Sequence, residues 1–156
     1  MKIVPYIPEY WPGIEEVHDA ARKQELALAG LDDAFLPLAV AAEREGLFDY
    51  SLYVALEESR VLGFVAYTQE GLAWLYVHPD VQRRGVGRAL ARFALDHMGG
   101  EEKDVEVLFG NEPARNLYWS LGFTNERIVR GKMPGNEGFA VTVWVMKQEQ
   151  STFLYE

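Results

Sequence analysis

The spacing of hydrophobic positions changes near residue 52, separating a helical first third from a strand-rich remainder. Before that point, Pro12-Gly-Ile-Glu-Glu opens a helix with acids in its first turn and Arg22 and Lys23 later, an order that suits the helix dipole. Ile14, Val17, Ala21 and Leu28 supply its apolar stripe. Residues 3–7 ahead of it read as an edge strand broken by proline. After Gly30, Leu31-Asp-Asp-Ala-Phe-Leu-Pro-Leu leads into a second helix through residues 39–42 that stops near Gly46. This helix-loop-helix is a candidate substrate wall. Beyond it, short β-rich runs over 52–57, 61–69 and 72–77 are separated by Glu58-Ser59-Arg60 and Glu70-Gly71, the pattern of an antiparallel meander.

The period then switches again. Val77-His-Pro-Asp-Val-Gln-Arg-Arg-Gly-Val-Gly87 leaves a strand at Pro79, which withholds a ladder donor. It enters a helix on which Val86, Ala89, Leu90, Phe93 and His97 recur at helical spacing up to about Met98. A helix start carries unpaired amides and partial positive charge, and glycine lets a ligand approach the backbone closely. The turn is therefore an anion cradle. The strand at 104–109 follows that helix, so it should lie parallel to 72–77 through a right-handed crossover. Asn111 can cap a further short helix, Pro113 suits its first turn, and Ala114, Leu117 and Leu121 share a face. Gly122 ends it, a strand begins near Phe123, and Phe139-Ala-Val-Thr-Val-Trp-Val-Met closes the sheet.

Composition narrows the functional classes. With 156 residues, 49% hydrophobic and 13% aromatic, the chain fits one domain over 1–156. No apolar run is long enough for a membrane span, and Pro5, Pro8 and Pro12 interrupt any signal-peptide core, so a soluble cytoplasmic protein is expected. The absence of cysteine removes disulfides and thiolate nucleophiles, which favours direct transfer over a covalent intermediate. His18, His78 and His97 lack metal-site spacing, so no metal is expected. A net charge of −9 argues against nucleic acid and suits a cationic partner, although plain solubility explains it equally well. Four of the ten arginines nevertheless fall between residues 83 and 92, reversing the local sign.

The anion cradle does not match a dinucleotide fingerprint, whose third glycine would fall at Leu90, nor a Walker loop. Gln82-x-x-Gly85-x-Gly87 after a strand ending in Val-x-Pro resembles the acetyl-coenzyme A signature of the GNAT superfamily of N-acetyltransferases. Asn111-Glu-Pro-Ala-Arg-Asn-Leu-Tyr118-Trp-Ser-Leu-Gly122-Phe123 is similar to the family's later element. The resemblance implies an α/β (α+β) fold with a mixed sheet: antiparallel strands, one parallel pair at the cofactor site, and helices on both faces. It further implies acetyl-CoA as cosubstrate and a primary amine of a small molecule or peptide as acceptor. Backbone groups of Leu75 and Val77 would meet the pantetheine arm. Gln82, Arg83, Arg84, Gly85, Val86, Gly87 and Arg88 would hold the pyrophosphate.

The resemblance also makes Tyr118 the proton donor to the departing thiolate, its bland alternative being a half-buried packing residue. Asn111 can bond the cofactor arm, cap its helix, or do both. Arg92 reads as a solvated helix position. Many family members carry a glutamate four positions before the signature valine, where this chain has Ala73. Glu25, Asp32, Asp33, Glu70, His78 or a water relay are the remaining candidates for the base. The missing carboxylate keeps open a second reading, a non-catalytic acyl-CoA-binding sensor or structural subunit. Trp74 and Tyr76 share one strand face, either as an acceptor wall or as packing beneath the first two helices. The tail from Ser151, with three large apolar side chains, is expected to pack on the domain or across a homodimer.

Overall fold

The computed structural model describes residues 1–148; the tail expected to pack, from Ser151, lies outside them. The elements run β1 (Lys2–Pro5), α1 (Trp11–Leu28), α2 (Leu38–Arg44), β2 (Ser51–Glu57), β3 (Arg60–Tyr67) and β4 (Gly71–Val77). They continue with α3 (Val86–His97), β5 (Asp104–Leu108), α4 (Glu112–Ser120), β6 (Asn125–Met133) and β7 (Asn136–Lys147). The strands form one sheet of seven in the order β1-β2-β3-β4-β5-β7-β6. Every neighbouring pair is antiparallel except β4 and β5, which are parallel as the crossover through α3 requires. The mixed sheet with one parallel pair is the expected architecture. The strand at β7 does not close the sheet, however; it lies between β5 and β6, and the edge belongs to β6. Exposed Arg127, Arg130 and Lys132 charge that edge, as exposed strands commonly are.

Alternation along the strands divides the core in two. On one face, α3 and α4 cover Val65, Leu72, Val105, Val107 and Met146 with Leu90, Ala94 and Leu121. On the other, α1 and α2 cover Val54, Phe64, Ala66 and Trp74 with Ile14, Val17 and Leu38. The ladder between β3 and β4 shifts register between Ala66 and Tyr67: Ala66 opposes Trp74, but Tyr67 opposes Leu72. Ala73 is thus the extra residue of a β-bulge, and it lets Leu72 and Trp74 face opposite layers although two positions apart. Pairing between β4 and β5 holds only for Gly71 with Asp104 and Leu72 with Val105. Beyond the bulge the two strands part.

Two helical positions depart from the periodicity. Leu28 is 49% exposed, whereas Leu26 is fully buried in a small cluster with Leu108, Met133 and Val141. The last turn of α1 overhangs the β5–α4 turn, where a Cβ on Gly110 would come 2.7 Å from the Leu28 carbonyl. His97 is also exposed, stacked on Phe93 at 4.2 Å between ring centroids, and the buried stripe of α3 runs instead through Leu90, Ala91, Ala94 and Leu95.

The approach of α3 to the sheet depends on Gly63. A Cβ there would stand 2.6 Å from the Tyr76 carbonyl oxygen and 3.1 Å from Leu90 Cδ1, and the first of these is backbone. Gly63→Ala is expected to destabilise the protein by about 1–3 kcal/mol. Urea unfolding measures this directly, and an unchanged midpoint would mean that the sheet and α3 relax apart freely.

Candidate active site

Where β4 and β5 separate, a cleft of about 1030 Å³ passes between the two layers. It runs from the turn before α3, through the wedge between the strands, to α1, α2 and the β6–β7 turn. Leu75 and Val77 line it from β4, and Val107 and Leu108 from β5. Its volume is at the upper end of the range for a single drug-sized ligand.

The turn at the first end is built to leave donors free. Gly85 is the N-cap of α3 with φ +82°, and Arg83 before it also has positive φ, at 66°. Alternation of this kind turns consecutive amides toward one side and makes an anion-binding concavity. Having no side chain, Gly85 cannot cap α3, so the amides of the first turn remain without an internal partner. The first intrahelical bond is Ala89 N–H to the Gly85 carbonyl, at 3.0 Å. Gln82, Arg83, Gly85, Val86, Gly87 and Arg88 all line the cleft. Gln82 braces the turn by donating to the Val77 carbonyl (3.3 Å) and to Gln24 of α1 (2.9 Å). Arg88 donates to Ser120 Oγ at 2.8 Å. Arg84 departs from the expected cradle: its side chain turns away from the cleft to pair with Glu57 of β2 at 2.8 Å. Arg92 is exposed and away from the cleft.

At the middle of the cleft stand the residues of the second motif. Asn111 caps α4 by accepting from Ala114 N–H (3.3 Å), and its amide donates to Glu25 Oε2 (3.3 Å). Tyr118 is buried against Phe123 in an edge contact of 5.8 Å, and it lines the cleft. Burial holds the Tyr118 proton well above the ordinary tyrosine range, and the nearby charge of Glu25 adds to the effect. Packing and cleft exposure are therefore joint properties of this side chain.

The far end carries charge that the periodicity did not single out. Arg22 donates to Glu25 Oε1 (2.5 Å), and Tyr76 OH donates to the same oxygen (3.1 Å). Glu45, just past α2, and Glu106 of β5 also line this end. His18 is 2% exposed, held by Asp19 at 2.9 Å and set edge-on to Tyr76; burial pushes its pKa down. Among the sequence candidates for a base, only Glu25 reaches the cleft. His78 instead accepts from Asp80 N–H beside the turn, and Asp32, Asp33 and Glu70 lie elsewhere on the surface. Trp74 and Tyr76, for which the sequence offers packing and an acceptor wall as alternatives, pack under the first helices and also line the cleft. Among the described residues no cluster of three potential metal ligands occurs, and no helix is long and apolar enough to cross a membrane.

Glu45 is the side chain whose role depended on tertiary burial. Its carboxyl is pushed up to about 7 by burial, against the attraction of Arg22 and with added repulsion from Glu137. The folded protein thus holds this proton more tightly than the unfolded chain, so stability falls as pH rises from the ordinary value of 4.5 through about 7. Glu45→Gln is expected to exceed the wild type by about 1 kcal/mol at pH 8, allowing for solvent screening, and to match it at pH 5. Thermal denaturation at the two pH values checks this; the same difference at both would remove the charge argument.

Residues 48–125 match the acetyltransferase (GNAT) domain model, half of the chain. The [ribosomal protein bS18]-alanine N-acetyltransferase of Escherichia coli is 40% identical over 67 residues, 40% of this chain and 44% of that protein. Mycothiol acetyltransferase of Mycolicibacterium vanbaalenii is 35% identical over 79 residues, 47% of this chain and 26% of that protein. The match thus spans less than half the length of either relative. In fold, a GCN5-related N-acetyltransferase from Rhodopseudomonas palustris superposes with a TM-score of 0.76 at 20% identity, covering 96% of this chain and 95% of its own. The PaiA N-acetyltransferase of Thermoplasma acidophilum, solved with coenzyme A, superposes at 0.67 with 16% identity, covering 96% of this chain and 98% of its own. With the signature turn, the late Asn111–Tyr118 element and the parted parallel strands all in one cleft, the chain belongs to the GNAT acetyltransferase family.

Proposed function

We propose that this chain is an N-acetyltransferase that moves an acetyl group directly from acetyl-CoA to a primary amine of a small molecule or peptide. The observation that carries the reading is the single cleft, which joins an uncapped, basic helix start to a buried tyrosine and then to a carboxylate-lined chamber. The pyrophosphate suits the first end, where the amides from Arg83 to Arg88 and the side chains of Arg83 and Arg88 converge. The pantetheine arm suits the wedge, where Leu75 and Val77 present β4 backbone that β5 does not pair. Tyr118 lines the cleft with its hydroxyl kept protonated, which makes a proton available for the departing thiolate. Carboxylates at the far end favour a cationic acceptor, with Trp74 and Tyr76 as aromatic walls.

Gly87 supplies a test of the fit that is independent of turnover. A Cβ at this position would meet only Val77 Cγ2 at 3.6 Å and Leu117 Cδ2 at 3.8 Å, both ordinary contacts. The fold therefore does not require glycine here, whereas close approach of a phosphate does. Gly87→Ala is expected to raise the unfolding free energy of the ligand-free protein by about 0.5 kcal/mol, since alanine favours the helix. It is expected to weaken coenzyme A binding at least several-fold in isothermal titration. Undiminished affinity would place the pyrophosphate elsewhere.

Turnover is followed with a thiol reagent, and the chain's lack of cysteine leaves coenzyme A as the only thiol in the assay. Acetyl-CoA with alaninamide, benzylamine, spermidine or an N-terminally free peptide is expected to yield thiol. Tyr118→Phe keeps the ring and removes the hydroxyl; kcat should fall about 10²-fold or more with coenzyme A affinity unchanged. Wild-type kcat in that variant under chemistry-limited conditions would remove Tyr118 from the reaction.

A further inference from the structure

Resting on that acetyltransferase reading, we infer that Glu25 of α1 is the general base that takes the proton from the acceptor amine. The carboxylate is fixed by donors from three separate parts of the chain: Arg22 one turn earlier in α1, Tyr76 on β4, and Asn111 at the cap of α4. A carboxylate offers about four lone-pair sites, and these three donors leave one free. Glu25 lines the cleft and its side chain is 22% exposed, so the free site is reachable from the chamber. Its position on α1 replaces the strand carboxylate that Ala73, the bulge residue, does not supply.

The protons and electrons balance without a further reactant. An ammonium acceptor gives one N–H proton to Glu25, and the freed nitrogen lone pair forms a bond to the thioester carbonyl carbon. As the C–S bond breaks, Tyr118 gives its hydroxyl proton to sulfur, and the second proton leaving nitrogen restores the tyrosine. Glu25 then returns its proton to solvent. The sum is ammonium plus thioester giving amide, thiol and one released proton.

The two groups also act on one another. While Glu25 is charged it helps hold the proton on Tyr118. Once Glu25 is neutralised by the amine's proton, that contribution disappears, and Tyr118 becomes the stronger acid at the stage when sulfur needs a proton. The charged or titratable groups acting on Glu25 are Arg22 and His18 on α1, Tyr76 on β4 and Tyr118 on α4, and Glu45 beyond α2 and Glu106 on β5 line the same cleft. Of the carboxylates in this set, Glu25 alone bonds to both the β4 aromatic and the α4 cap.

The test compares pH–rate profiles of kcat/KM for the wild type, Glu25→Gln, Glu25→Asp, Glu45→Gln and Glu106→Gln, with alaninamide and benzylamine as probes. Coenzyme A titration and thermal midpoints accompany each. In Glu25→Gln, kcat/KM at neutral pH is expected to fall about 10²-fold or more while coenzyme A affinity stays within twofold. Its residual rate should climb tenfold per pH unit toward each amine's own pKa, a limb the wild type does not share. Glu25→Asp, which keeps a carboxylate, should recover at least tenfold of the loss. A Glu25→Gln profile parallel to the wild type would overturn the assignment and leave the acetyltransferase reading standing. So would transfer of the altered limb to Glu45→Gln or Glu106→Gln. Absence of thiol release by the wild type with every amine would instead refute the acetyltransferase reading, and the base with it.

Discussion

The rest of the site depends on how briefly β4 and β5 hold together. Parallel strands joined by a helical crossover ordinarily pair along their length, but here the ladder holds for two residue pairs and then gives way beside the Ala73 bulge. Three consequences come from that one irregularity. Backbone on β4 is released from its neighbour, a passage opens through the sheet, and side chains from both layers reach the same space. Unpaired polar backbone inside a domain is costly unless something satisfies it. The sequence meets part of that cost itself, since Gln82 reaches back to the Val77 carbonyl.

Charge in the cleft is arranged as sharply as shape. Its first end has an uncapped helix start with Arg83 and Arg88 and no acid in the first turn of α3. Its other end has Glu25 and Glu45 around Arg22, and Glu106 lines the same cleft from β5. Arg22 also orders this end mechanically, donating to Glu25 and lying 3.7 Å from Met133 sulfur of β6. Asp19 extends the same logic outward, joining His18 to the first amide of α2. Thus α1 carries the structural pins of the chamber together with its most central carboxylate, Glu25.

Much of this was legible in residues whose signal is local. Gly85, Pro79 and the Asn111 cap mark the turn and the two helix starts, because backbone conformation and capping depend on neighbours in sequence. Where the reading departed from the structure, the deciding contact came from a distant segment. Leu28 lies at the open cleft where the end of α1 meets the Gly110 turn, and Arg84 faces outward to pair with Glu57 of β2. Glu25 is one of several candidates in the sequence, and its bonds to Tyr76 of β4 and Asn111 at the α4 cap are long-range contacts that no local pattern announces. Glu45 gave no sequence signal at all; the β6–β7 turn covers it, with a Cβ on Gly135 falling 2.9 Å from its Cγ. The edge position of β6 could have been read from its density of charge, Glu126, Arg127, Arg130 and Lys132 on both faces, which suits an exposed strand.

The slot through the sheet also makes the protein two mechanical units. Strands β1 to β4 form one panel and β5 to β7 the other, joined along the sheet by the Gly71–Asp104 and Leu72–Val105 pairs. Beyond those rungs the panels are linked by the Asp104 amide bonding to the Glu70 carbonyl, by helices packed across the seam, and by Glu25, which bonds to Tyr76 on one side and Asn111 on the other. A long ligand seated in the slot would touch both panels and stand where the missing rungs would be. It would work as a strut as well as a reactant, and its departure would return the seam to the protein's own bonds and packing.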